Sequence, residues 1–234
     1  MRFIALVKNQ LQEILGGLIV VVIVFTFLSG FILWSGIRHP DPYHYSEYSG
    51  ITPGNTVSFY TLLQRPKPLW GVGPVLLVSA VILGAMLASQ QFAEQQKRRT
   101  WAFTIHRSVS RSTILWARFS AAVIAFILCL GVMWTMFYLY VSAMGASPCP
   151  LPVRVLIEGW IFILLGLVIY FGAALSEVSA KKKYTTKYFG AVFAGMILVL
   201  ALVQLSLTLC FAVIALALVI LVSDTMDTFL SREF

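Results

Sequence analysis

The chain has 234 residues, of which 59% are hydrophobic and 11% charged, and its mean hydropathy is +0.89. This composition excludes an ordinary soluble domain and predicts a membrane protein, because several apolar runs approach the roughly 20 residues that cross a bilayer core of about 30 Å. The formal net charge of +8 lies mostly beside those runs, which favours membrane orientation and contact with anionic lipid over nucleic-acid binding. The three cysteines are scattered and predict neither a disulfide framework nor a metal site.

The N-terminal residues 2–14 predict a short amphipathic helix lying in the membrane interface. Its apolar residues fall on one helical face: Phe3, Ile4, Val7, Leu11 and Ile14. The alternative, the charged start of a signal peptide, is disfavoured because no small-residue cleavage site follows. The first span is then predicted at about 15–35, ending near Trp34 as an interface anchor.

Residues 36–70 form a polar, proline-rich loop that predicts irregular structure. His39, Asp41 and His44 are potential metal ligands, but Pro40 and Pro42 interrupt any helix that would align them, so no metal site is predicted. The second span follows at about 71–92.

Two basic loops alternate with the next spans. Residues 93–116 form the first and precede a third span at about 117–143, whose aromatic residues near its end suit a membrane interface. The fourth span is predicted at about 155–178, with Arg154 and Glu158 paired one turn apart at its start. The second basic loop contains Lys181, Lys182, Lys183 and Lys187.

Residues 188–222 carry no charge over 35 positions. One helix of that length would be roughly 52 Å long, too long for a single span. The polar cluster at residues 204–208 divides the run into two predicted spans, about 188–203 and 208–222. The predicted fold is therefore all-α and polytopic, with six transmembrane helices, an interfacial helix and a cytoplasmic helix between spans two and three.

The distribution of Lys and Arg predicts the orientation of this single transmembrane domain. Thirteen of the 17 cations fall on the side that holds both termini and both basic loops, and four fall on the other side. Because positive loops remain in the cytoplasm, we expect a multi-pass protein of the cell (inner or plasma) membrane with cytoplasmic N and C termini.

The sequence contains no pattern typical of catalysis. Ionisable residues are nearly absent from the middles of the spans, which argues against ion-coupled transport. Nucleophile elbows, zinc-protease motifs and phosphate-binding Gly-rich loops are also absent. We therefore predict no catalytic, cofactor-binding or metal-binding residues, and any energised work requires a second chain.

The first basic loop carries a more specific pattern. Glu94 is followed by Thr100-Trp101, by Phe103 and Ile105, and by Ser108-Val109-Ser110-Arg111; Ile114-Leu115 and Arg118 then open the third span. This order resembles the membrane subunits of type-2 ATP-binding-cassette (ABC) exporters. In that family, span two runs into Glu-x-x-x-Gly-Thr and then Pro-Val-Ser-Arg, with Ile-Leu-x-x-Lys opening span three. Here Arg99 replaces the Gly, Ser108 the Pro and Arg118 the Lys, and the Glu lies about one residue further from the Thr.

The resemblance implies a permease subunit whose loop forms a coupling helix docked on a cytoplasmic ATPase subunit, which itself binds ATP and Mg. It also implies a second permease subunit, as a homodimer or with a similar chain. The uncharged spans favour an amphipathic, lipidic or peptidic substrate. The implied ATPase contacts are Glu94, Arg98, Arg99, Thr100, Trp101, Phe103, Arg107, Val109, Ser110 and Arg111.

Two alternatives remain open. The basic loop suits contact with lipid head groups, although such contact does not require the Thr-Trp and Val-Ser-Arg pattern. The whole chain suits a non-transporting membrane scaffold or assembly factor that recruits a cytoplasmic partner through the same loop.

Overall fold

A computed structural model describes residues 2–38, 56–57, 72–93, 110–143, 153–179, 188–203 and 205–231. Nearly all of these residues are helical, and five helical segments are long and apolar enough to cross a membrane. The prediction of a helical, multi-pass membrane protein is therefore confirmed at this level.

The described elements follow one another in a simple order. The helices are α1 (Arg2–Arg38), α2 (Val72–Ala88), α3 (Arg111–Phe126), α4 (Val132–Ala143), α5 (Val153–Val178), α6 (Phe189–Leu202) and α7 (Leu207–Leu230). One π-helical turn, Ser89–Ala93, extends α2, and another, Ile127–Gly131, joins α3 to α4. Two-residue strands β1 (Thr56–Val57) and β2 (Leu205–Ser206) pair antiparallel.

Helix α1 covers both the predicted interfacial helix and the predicted first span in one continuous helix. The helix runs without a break through Gly16 and Gly17, although glycine is a weak helix former. A side chain at Gly17 would meet Met86 and Gln90, at 2.8 and 2.9 Å, so glycine here permits close contact with α2.

Helix α3 begins earlier than the predicted third span. Residues 111–116, expected in the basic loop, are its first turns. Ser110 is the N-cap: its side-chain oxygen accepts a hydrogen bond from the Thr113 amide at 3.4 Å. Such a cap satisfies an amide that the helix cannot pair internally, which fixes the start of the helix.

The long uncharged run is divided into two helices, as its polar cluster predicts. Helix α6 ends at Leu202, and Ser206 caps α7 by accepting from the amide of Leu209 at 3.3 Å. With 14 residues, α6 is only about 21 Å long, so it is shorter than a bilayer core. Helix α7 continues to Leu230, beyond the predicted end at residue 222.

The core of the bundle is organised around α5, which packs against α2, α6 and α7. Glycines allow the closest approaches. A side chain at Gly84 would lie 2.5 Å from the carbonyl oxygen of Gly166, and one at Gly172 would lie 2.5 Å from that of Gly190. Small residues at helix contacts are typical of membrane bundles, where close packing replaces the hydrophobic effect.

The order of contacts gives the helix directions. Val7 packs with Ala117 and Ala121, and Phe25 with Phe137, so α1 runs parallel to α3 and α4. Phe119 contacts Phe171, and Trp134 contacts Leu156, so α5 runs antiparallel to them. We call the end of the bundle where α2 ends and α3 begins the loop end, and the other the far end.

Candidate functional site

A buried arginine at the loop end is the main polar feature of the described bundle. Arg118 lies on the second turn of α3 and is only 1% exposed. Ionisable side chains inside a membrane bundle are costly and often mark functional sites. The groups around Arg118 therefore define the candidate site.

Arg118 joins α3 to the π-helical turn that extends α2. Its Nη1 donates a hydrogen bond to the main-chain carbonyl oxygen of Gln91 at 2.8 Å. A hydrogen bond from a charged donor is stronger than one between neutral groups, so this bond holds α3 firmly against the π-helical turn. The guanidinium also lies over the Phe92 ring, with its central carbon 5.4 Å from the ring centroid.

The side chain of Gln91 reaches a third helix. Its Oε1 accepts a hydrogen bond from the Tyr170 hydroxyl of α5 at 2.6 Å. Gln91 therefore joins α3 through its main chain and α5 through its side chain. Gln91 belongs to the π-helical turn Ser89–Ala93. Such turns are frequent at functional sites.

Helix α1 completes the polar surroundings. The Glu13 carboxylate interacts favourably with the Arg118 cation, and Gln10 Nε2 donates to Glu13 Oε2 at 3.3 Å. Three buried amide atoms here have no hydrogen-bond partner among the described residues: Gln10 Oε1, Gln90 Oε1 and Gln91 Nε2. The site is thus a polar cluster shared by four helices, with hydrogen-bonding capacity left over.

The predicted partner-binding residues divide into two groups. Ser110 and Arg111 are described: Ser110 is exposed as the N-cap of α3, and Arg111 is half-buried in its first turn. The others lie outside the described residues, so their roles stay predictions: Glu94, Arg98, Arg99, Thr100, Trp101, Phe103, Arg107 and Val109.

Sequence reasoning missed the buried cluster. It placed Arg118 at the opening of the third span and counted it among the cations of the cytoplasmic side, whereas the structure buries this side chain inside the bundle. The available signal was its position within the apolar run Ile114–Phe126, where a solvated loop cation is not expected. Gln91 and Tyr170 carried no comparable signal, because they are 79 residues apart and only the fold brings them together.

No protein-family model, curated protein or solved structure matches the chain. Among the described residues there is also no group of three or more His, Cys, Asp or Glu side chains that could hold a metal ion.

Proposed function

We propose that the chain is the permease subunit of an ATP-driven exporter of the type-2 ABC class. It forms one half of a translocation path, as a homodimer or with a similar chain, for an amphipathic, lipidic or peptidic substrate. A separate cytoplasmic ATPase subunit binds ATP and Mg and docks on residues 94–111.

The observation that supports this proposal most is the anchoring of the basic loop. The loop begins at Ala93. Gln91 lies two residues earlier, and its carbonyl oxygen accepts a hydrogen bond from Arg118. Ser110, the middle residue of the Val-Ser-Arg pattern, caps the helix that carries Arg118. The ends of α2 and α3 are thus tied by a buried bond, which suits a loop that transmits force and which lipid contact alone does not require.

The residues of the loop suit a protein interface. Binding free energy in such interfaces is concentrated in a few aromatic and arginine anchors, and Trp101 and Arg111 are the best candidates here. Neighbouring cations would pair with acidic groups on the ATPase and increase the association rate. Movement of the docked ATPase subunits would then displace the loop ends of α2 and α3.

The test is co-purification with the ABC ATPase subunit encoded nearest to this chain, in detergent without anionic lipid. Trp101→Ala and Arg111→Ala should each weaken ATPase binding by about 1–3 kcal/mol. Lys97→Ala is the matched control, since it removes a cation from the same loop outside the Thr-Trp and Val-Ser-Arg pattern. Full binding and ATP hydrolysis by the Trp101 and Arg111 variants would refute the coupling role, and absence of binding by the wild type would favour the scaffold alternative.

A further inference from the structure

We propose that Gln91, Arg118 and Tyr170 form a positioning node that makes the loop ends of α2 and α3 move together with α5. The inference rests on the proposed function for its purpose, because the node would carry displacement of the loop into the centre of the bundle. Its mechanical claim concerns this chain alone and is testable without a partner.

The node joins three helices through a single residue. Arg118 of α3 binds the main-chain oxygen of Gln91 at 2.8 Å, and Tyr170 of α5 binds its side-chain oxygen at 2.6 Å. All three side chains are buried: Gln91 is 2% exposed, Arg118 is 1% exposed and Tyr170 is 0% exposed. Water therefore does not compete for these bonds, and hydrogen bonds in such an environment are stronger than exposed ones.

Position explains why a node is needed here. The π-helical turn Ser89–Ala93 directly precedes residues 94–109 of the basic loop. Without Arg118 and Tyr170, displacement of the loop would move this turn alone. With Arg118 and Tyr170 in place, the end of α2 cannot shift without moving α3 and α5.

The node also retains an unmet hydrogen-bond donor. Gln91 Nε2 is buried and has no partner among the described residues. A buried amide in this state costs free energy, so a movement of the node that gives Gln91 Nε2 a partner would recover part of that cost.

The first measurement uses the chain alone, with its native cysteines replaced and spin labels attached at Ser89→Cys and Ser179→Cys. Ser89 is exposed in the π-helical turn, and Ser179 follows the end of α5, so the label distance reports the alignment of these two ends. In Arg118→Met and Tyr170→Phe, the distance distribution should widen by about 1–2 Å, the size of typical helix shifts. Tyr170→Phe keeps the ring packed on Phe171. If Arg118→Met does not fold, the distance distribution of Tyr170→Phe alone tests the node.

A matched control distinguishes positioning from general destabilisation. The Trp134 Nε1 of α4 donates to the Leu156 carbonyl oxygen of α5 at 3.1 Å, and Trp134 is fully buried. Trp134→Phe therefore removes a buried hydrogen bond between helices near the far end of the bundle. It should lower thermal stability as Tyr170→Phe does, while leaving the loop-end distance distribution unchanged.

The second measurement uses the complex with the ATPase subunit. The node variants keep residues 94–111, so they should bind the ATPase as the wild type does, while permease-stimulated ATP hydrolysis falls about fivefold or more. Unchanged distances in both node variants, equal widening in Trp134→Phe, or full stimulation despite widening would each overturn the inference. If the wild type binds no ATPase, the proposed function fails and the distance measurement alone decides whether the node positions the helices.

Discussion

Helices α1 and α5 are both long and apolar, yet they occupy opposite places in the bundle. Their most apolar windows have mean hydropathies of 2.6 and 2.2, but 22% of the α1 window is buried against 72% of the α5 window. Hydropathy therefore identifies both as membrane spans and does not distinguish the central helix from the peripheral one. The difference comes from small residues and buried polar groups.

The glycines illustrate this difference. Side chains at Gly159, Gly166 and Gly172 of α5 would all collide with neighbouring helices, whereas side chains at Gly16 and Gly30 of α1 would meet nothing within 4 Å. Glycine on α5 permits close helix contact, and glycine on α1 mostly faces the exterior. Substitutions matched between the two helices should therefore have unequal effects.

The largest effect is expected from Gly166→Leu. Even its first side-chain carbon would lie 2.7 Å from the Ala80 Cβ and 2.8 Å from the Ala80 carbonyl oxygen. Forcing α2 and α5 apart should cost about 3 kcal/mol or prevent folding. Gly30→Leu on α1 is the control and should change stability by less than about 0.5 kcal/mol. Thermal unfolding in detergent measures both, and equal losses would contradict the assigned places of the two helices.

A smaller loss is expected from Arg118→Met. The substitution leaves the Gln91 carbonyl oxygen buried without its charged donor, which should cost about 2–3 kcal/mol. Lys8→Met on α1 removes an exposed cation and should stay within about 0.5 kcal/mol. If urea or thermal unfolding gives the two variants similar stabilities, Arg118 is not held as described.

Tyr170→Phe should cost less again, because it removes one hydroxyl and keeps the ring. We expect a loss of about 1 kcal/mol. Combined with Gln91→Met, the two losses should be less than additive, since both changes break the same 2.6 Å bond. A double-mutant cycle on unfolding free energies checks this, and strict additivity would exclude the bond between these side chains.

The smallest effect is expected at Phe27 on α1. This side chain is 73% exposed, so Phe27→Ala should alter stability in detergent by less than about 0.5 kcal/mol. Phe25, two residues away, is fully buried against Phe137, and Phe25→Ala, the matched comparison, should cost about 3 kcal/mol without preventing folding. Similar losses at the two positions would show that α1 is rotated from the orientation described.

The sequence predicts much of the fold because membrane spans depend on local composition. Apolar runs indicate the five long helices, and the polar residues near Ser206 indicate the break in the last run. The close approach of Gly17 to Met86 and Gln90 is not predictable, because these residues are far apart in the sequence and only the fold brings them together.

The candidate site was less accessible to sequence reasoning. The apolar run around Arg118 indicates that this residue lies in a span, but its partner Gln91, 27 residues earlier, is known only from the fold. The partners of a residue within a bundle depend on tertiary packing, which no local pattern encodes. The loop residues 94–109 present the opposite case: their sequence pattern supports a role in partner binding, and they lie outside the described residues.

Docking of an ATPase on residues 94–111 requires that the loop end of the bundle face the cytoplasm. Single cysteines at Ser179 and Ser46, in a chain without native cysteines, test this with a membrane-impermeant thiol reagent applied to intact cells. Ser179 lies at the loop end after α5, and Ser46 lies in the predicted outer loop. We expect labelling at Ser46 from outside and at Ser179 only after the membrane is opened. Labelling of both from the same side, or of Ser179 alone from outside, would contradict a cytoplasmic loop end.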